Sequence, residues 1–117
     1  MEIIRCLEQS EIVKEFKIQD FKLIEHGFYL KILAILINNT ELYIREYSDS
    51  MDRSYSYHWQ GEDKKLIMRW DNAPHHKRLE SYPHHVHVGE QVSPNLSISC
   101  SEILKIIEKK ILKSNPN

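Results

Sequence analysis

Residues 54–71 read SYSYHWQGEDKKLIMRWD, and their alternation decides the fold. Tyr55, Tyr57 and Trp59 alternate with Ser54, Ser56 and His58, and after Gly61-Glu62-Asp63-Lys64 the residues Leu66, Met68 and Trp70 alternate with Ile67, Arg69 and Asp71. A period of two marks a half-buried strand, and two such runs about a glycine-containing turn read as a hairpin. A four-residue loop predicts Trp59 opposite Leu66, Tyr57 opposite Met68 and Tyr55 opposite Trp70, with all six on one buried face. The other face then collects Ser56, His58, Arg69 and Asp71 with Ile67, and places Arg69 opposite Ser56 and diagonal to His58. A slip of one residue would mix the two faces, so the hairpin is strongly constrained. The aromatic side chains are read as core rather than as base-stacking platforms, because their cross-strand partners are apolar.

Upstream, Phe28–Ile37 is apolar on both faces, the mark of a central strand. Asn38-Asn39 suits a two-residue turn, and Leu42–Ser48 returns from it. That turn pairs Leu33 with Ile44, Ile35 with Leu42 and Lys31 with Glu46. Phe16–Glu25 alternates with a phase slip at Gln19-Asp20 that predicts a bulge. His26-Gly27 reads as a turn with Gly27 at positive φ. Ile3, Ile4, Leu7, Ile12 and Val13 predict a helix from Glu2 to about Lys14. Downstream, His85–Val88 reads as a short edge strand and Gly89–Leu96 as irregular. Ser99 and Glu102 form a capping box that opens a second helix, with Ile103, Leu104, Ile107, Ile111 and Leu112 on its buried stripe. Lys105, Lys109, Lys110 and Lys113 make its solvated face, and Asn115-Pro116-Asn117 ends it. The predicted architecture is α+β: about five antiparallel strands, with an N-terminal and a C-terminal helix on one face and the other face open to a ligand.

The 117 residues are read as one domain, 1–117, large enough to bury a core of its own. A formal net charge of −1 with 28% charged residues does not advertise a nucleic-acid binder by bulk charge. Glu2 and Arg5 interrupt the first apolar residues, which argues against a signal peptide. Lys31 breaks the longest apolar run, so no membrane association is expected. Cys6 and Cys100 lie far apart and read as free thiols in a reducing cytoplasm.

Chemistry concentrates in Arg69–His87, RWDNAPHHKRLESYPHHVH, which holds five of the seven histidines between His75 and His87. Pro74 and Pro83 remove backbone donors and turn the chain into a shaped loop. His85 and His87 share a face if their segment is a strand. With His75, His76 or Asp71 they could bind zinc or another divalent ion, although surface imidazoles bonded to backbone would look the same in sequence. His58, Arg69 and Asp71 form a second set. Arginine can hold a phosphate bidentately and histidine can move a proton near neutrality, so these parts suit metal-independent RNA cleavage. The plainer reading of Asp71 is an ion pair to Arg69 that supports the turn into Asn72-Ala73-Pro74.

The runs Tyr55-Ser56-Tyr57-His58-Trp59-Gln60, Arg69-Trp70-Asp71-Asn72-Ala73-Pro74-His75-His76 and Pro83-His84-His85-Val86-His87 together resemble the TumE-type toxins. The order of parts is also similar, with an Arg45-Glu46-Tyr47 strand end before the hairpin, and the resemblance covers about Ile12 to Ile111. Trp70 stands where Tyr is common, and Val86 where a basic residue is common. The resemblance implies a toxin of a prokaryotic toxin–antitoxin module, neutralised by a cognate antitoxin protein. The target expected for it is RNA or the translation machinery. The resemblance also implies site residues at the polar positions of the matching runs. These are His58, Arg69, Asp71, His76 and His85 as the catalytic set, and Asn72, His75, His84 and His87 as substrate contacts. No cofactor is required in this reading. In it Arg69 neutralises a phosphate while His58, His76 and His85 move protons. The rival reading is a non-catalytic metal- or ligand-binding module with structural histidines.

Overall fold

The computed structural model describes residues 1–113, which run α1 (Glu2–Gln9), β1 (Val13–Ile24), β2 (Gly27–Leu36), β3 (Glu41–Ser48), β4 (Arg53–Gln60), β5 (Leu66–Asp71), β6 (His85–Val88), β7 (Gln91–Pro94) and α2 (Cys100–Lys113). The strands form one antiparallel sheet in sequence order, β1 to β7. Every strand pairs with its chain neighbour, so hairpins alone build the sheet. The α+β class and the two terminal helices agree with the sequence reading. The strand count does not: there are seven rather than about five. The Gln91–Pro94 segment, expected to be irregular, pairs with β6 and takes over the sheet edge.

One face of the sheet carries the core. Leu30, Ile32, Ala34 and Leu36 of β2, Leu42 and Ile44 of β3, Tyr55, Tyr57 and Trp59 of β4, and Met68 and Trp70 of β5 are buried, together with Ile3 and Leu7 of α1 and Ile103, Leu104, Ile107 and Ile111 of α2. Trp70 and Tyr57 are the largest fully buried side chains. Burial of each such aromatic stabilises by roughly 2–3 kcal/mol, and this is why the alternation is so strict on both arms of the hairpin. Leu112, expected on the buried stripe of α2, is 64% exposed; it lies one helical position past Ile111 and turns outward. Ser99 caps α2 as expected: Glu102 N–H donates to its Oγ at 3.2 Å, and Ser99 N–H donates to Glu102 Oε1 at 3.3 Å. The helix end at Asn115-Pro116-Asn117 lies outside the described residues. No helix among the described residues is long and apolar enough to cross a membrane.

Four local expectations are corrected. α1 stops at Gln9, and Val13 and Lys14 already belong to β1. Asn38-Asn39 does not make a two-residue turn. Leu36 pairs with Thr40 across three residues, with Asn39 at φ 66°, so Ile32 faces Ile44, Ala34 faces Leu42 and Lys31 faces Arg45 rather than Glu46. At the first hairpin it is His26 that takes positive φ, 61°; Gly27 is needed because a Cβ there would lie 1.8 Å from the carbonyl oxygen of Ser48. The expected bulge in β1 is present, between Ile18 and Asp20.

The fourth correction bears on the site. The hairpin of β4 and β5 is set two residues from the expected register: Tyr57 faces Trp70, His58 faces Arg69 and Trp59 faces Met68. A slip of two keeps every side chain on its face, so the segregation survives. A bulge between Trp59 and Gln60 on one side and Met68 and Leu66 on the other then exchanges the last two residues. Ile67 packs against the core, whereas Leu66 lies on the open face beside His58.

Candidate functional site

On the open face the antiparallel register aligns side chains in rows across the strands. One row runs Leu33, Tyr43, His58, Arg69, His87, and the next runs Lys31, Arg45, Ser56, Asp71, His85. Arg69 is therefore flanked directly by His58 on β4 and His87 on β6. The loop of residues 72–84 folds back over this end of the face, so that a depression of about 350 Å³ is lined by His58, Leu66, Arg69, Asp71, Ala73, His75, His76, His85 and His87.

Asp71 is the hub. Its side chain is 4% exposed, and its Oδ1 accepts from Ala73 N–H at 3.0 Å and lies 2.9 Å from His85 Nε2. Its Oδ2 accepts from Arg69 Nε at 3.0 Å and lies 3.4 Å from His87 Nε2. A buried carboxylate surrounded by three nitrogen bases and a backbone N–H is well compensated for its lost hydration. Arg69, with Nε spent on Asp71 and a side chain 42% exposed, keeps its two terminal nitrogens for a ligand. His85 is 2% exposed and sits between Asp71 and the Pro83 carbonyl oxygen, which is 2.8 Å from its Nδ1. Both contacts are hydrogen bonds at once only when the ring carries two protons.

Burial lowers the pKa of His58, and the neighbouring Arg69 cation adds to the effect, while its hydrogen bond with Gln60 opposes it. Burial also lowers His87, against which the Asp71 carboxylate pulls upward; His85, Arg69 and His76 add to the lowering. Both rings are thus biased to the neutral form by desolvation first.

His76, His85 and His87 pack edge to face, with ring centroids 4.8–5.7 Å apart. One nitrogen from each lies within 4.8 Å of the others, so the three could hold a divalent ion. The Nδ1 contact of His85 to the Pro83 carbonyl is the kind that orients a metal-ligating imidazole. In the geometry observed, however, the Nε2 atoms of His85 and His87 are turned to Asp71.

Of the residues singled out in the sequence, the structure brings His58, Arg69, Asp71, His76, His85 and His87 together, with His75 exposed at the rim. Two are elsewhere. The ring of His84 stacks on Tyr55 at 5.8 Å and its Nδ1 is 2.9 Å from the Tyr55 hydroxyl, on the helix-covered side. The amide of Asn72 is spent on β4: Oδ1 accepts from Tyr55 N–H at 2.9 Å, and Nδ2 donates to the Arg53 carbonyl at 2.6 Å, so it extends the ladder. Sequence reasoning missed the pairing of buried Glu46 with Arg53 at 2.8 Å beneath α2. Its signal was the alternation of Glu46 with Leu42 and Ile44, obscured by the assumed turn.

The family model described as Toxin TumE matches residues 3–111 of the chain. No curated protein and no solved structure matches the chain.

Proposed function

The chain belongs to the TumE toxin family, and from that premise we propose that it is the toxin of a toxin–antitoxin module and cleaves RNA by metal-independent acid–base chemistry. The observation that carries this reading is the row His58–Arg69–His87, with buried Asp71 behind it. Arg69 presents its terminal nitrogens to the non-bridging oxygens of one phosphodiester. The flanking histidines stand on opposite sides of it, about 10 Å apart at their Cα atoms by two strand spacings. In-line displacement needs a base and an acid on opposite sides of phosphorus, and that is what such a row provides. His58 takes the proton of the ribose 2′-hydroxyl as the 2′-O–P bond forms. His87 gives a proton to the departing 5′-oxygen as the P–O5′ bond breaks. The products are a 2′,3′-cyclic phosphate and a 5′-hydroxyl. Arg69 offsets the charge that grows on the phosphoryl oxygens.

In this mechanism His87, expected as a substrate contact, takes the proton-moving role expected of His85. A ring 2% exposed cannot reach RNA, so His85 positions Asp71, and His87 moves the proton. His76 packs on both rings and closes the site. The reading as a metal-holding module has one observation in its favour, the convergence of His76, His85 and His87. Against it, His85 and His87 each turn Nε2 to the Asp71 carboxylate.

Induced expression in a bacterial host with RNA integrity as readout tests the proposal. Arg69→Ala should lose cleavage and growth inhibition by about 10²-fold or more while stability falls by only about 1–2 kcal/mol, because Asp71 keeps the Ala73 N–H bond and its histidine contacts. Arg69→Lys should also be impaired, since an ammonium cannot reproduce a planar fork. Undiminished toxicity of Arg69→Ala at equal expression would make Arg69 a structural residue and end this reading.

A further inference from the structure

The open face carries a second depression of about 290 Å³, lined by Lys31, Tyr43, Ile44, Arg45, Ser56, His58 and Arg69. It shares His58 and Arg69 with the first depression, so the two adjoin at these side chains.

The chemistry of this second part is not explained by folding. Lys31 and Arg45 stand directly opposite each other on β2 and β3, which places their Cβ atoms about 5 Å apart. Like charges directly opposite on a sheet destabilise it. Among the described residues neither cation has an ion-pair partner. The acids nearest in the register are engaged elsewhere. Asp20, across from Lys31 on β1, lies 3.7 Å from Lys22. Glu41, two residues from Tyr43, is held by Lys64 at 2.5 Å and by Gln60 at 3.1 Å. Asp71, in the same row, is taken up by Arg69, His85 and His87. Two cations thus repel each other beside a half-buried tyrosine, in a depression that Arg69 also lines. Such a cost is offset when an anion binds between them.

We propose that Lys31, Arg45 and Tyr43 form a subsite for single-stranded RNA that flanks the bond held at Arg69. Lys31 and Arg45 clamp a backbone phosphate, and Tyr43 gives a π-face for the adjoining base. Arg45 and Arg69 are two strands and two residues apart, about 12 Å at their Cα atoms. That span keeps the clamp off the reacting phosphate and on a neighbouring one of the same strand. The subsite rests on the reading of Arg69 as a phosphate-holding residue, but it makes its own claim on binding.

The test is titration of the full chain with a fluorescein-labelled 12-mer whose sugars are all 2′-O-methyl, so that no 2′-hydroxyl is available for cleavage. Lys31→Ala/Arg45→Ala should bind about tenfold or more weakly, and the slope of log Kd against log salt should fall by about 0.7, the contribution of the one single-strand phosphate that the two cations share. Arg45→Gln alone, the milder change, should lower the slope by part of that. Tyr43→Ala should weaken binding at least about fivefold with the slope unchanged. The double variant should melt no lower than the wild type, because a repulsive pair has been removed. On cleavable RNA its KM should rise with kcat kept. Unchanged Kd and salt slope in the double variant, or no binding of the probe by the wild type, would overturn the subsite. So would unchanged RNA affinity with lost neutralisation by the antitoxin, which would assign the patch to that protein. Binding through Lys31 and Arg45 without cleavage of any RNA would uphold the subsite and remove the catalytic reading instead.

Discussion

Replacing Asp71 by Asn removes one charge from the centre of the site and almost no volume. Its side chain and that of His85 are 4% and 2% exposed, and breaking a buried ion pair costs about 3–5 kcal/mol when the partner stays charged. The amide oxygen, in the place of Oδ1, keeps the bond from Ala73 N–H and the contact to His85 Nε2, which share that atom. The amide nitrogen, in the place of Oδ2, faces Arg69 Nε and His87 Nε2, so what is lost is the charged acceptor for those two. A hydrogen bond to a charged group contributes about 1.5–3 kcal/mol, and both partners here reach solvent, with side chains 42% and 23% exposed, which reduces their share. The expected cost is about 2 kcal/mol in all, or about 8 °C in Tm for a chain of this size. Activity should fall much further, by about 10²-fold or more, because Arg69 loses the contact that aims it and His87 loses the group that favours its protonated form. Asp71→Ala also orphans the Ala73 N–H and should cost more than Asp71→Asn. Urea unfolding followed by circular dichroism, beside cleavage of a labelled RNA, separates the two effects. An Asp71→Asn protein that cleaves at the wild-type rate would refute the aiming role. One as unstable as Asp71→Ala would show that the amide oxygen does not keep the Ala73 and His85 contacts.

Four further expectations follow from the same geometry. The lowered pKa values of His58 and His87 predict a bell-shaped kcat/KM profile with both limbs below the ordinary histidine value of 6.5; His58→Ala should remove the acid limb and His87→Ala the alkaline one. The same two shifts mean that the unfolded chain binds more protons below pH 6.5, so stability should decline as pH falls from there through the folded-state values, read as a drop in Tm. Chelation with EDTA should leave cleavage and Tm unchanged; stoichiometric zinc by elemental analysis and a Tm that falls on chelation would favour the reading in which His76, His85 and His87 hold a metal. Finally, His84→Ala should keep cleavage within about threefold of wild type and cost mainly stability, since its ring is committed to Tyr55; a loss as deep as that of His87→Ala would mean that His84 acts in the site.

The sequence by itself determined which side chains share a face. Alternation on β4 and β5 assigns Tyr55, Tyr57, Trp59, Met68 and Trp70 to the core and His58, Arg69 and Asp71 to the open side, and a two-residue slip of register changes none of this, because side chains repeat every second residue. The capping box and the apolar stripe placed α2 for an equally local reason. Which residues meet was beyond that local signal. Register depends on turn length and bulges, which polar loops such as Asn38-Asn39 and Gly61–Lys65 leave open, so the expected partners of Lys31 and Arg69 were both wrong. The row His58–Arg69–His87 spans three strands and a loop of more than a dozen residues, and nothing in a window of sequence measures that closure. Burial made the last distinction. His85 and His87 differ in sequence only by position, yet the loop of residues 72–84 covers one ring completely and leaves the edge of the other in water, and only the packed chain decides which of two like imidazoles can touch a substrate.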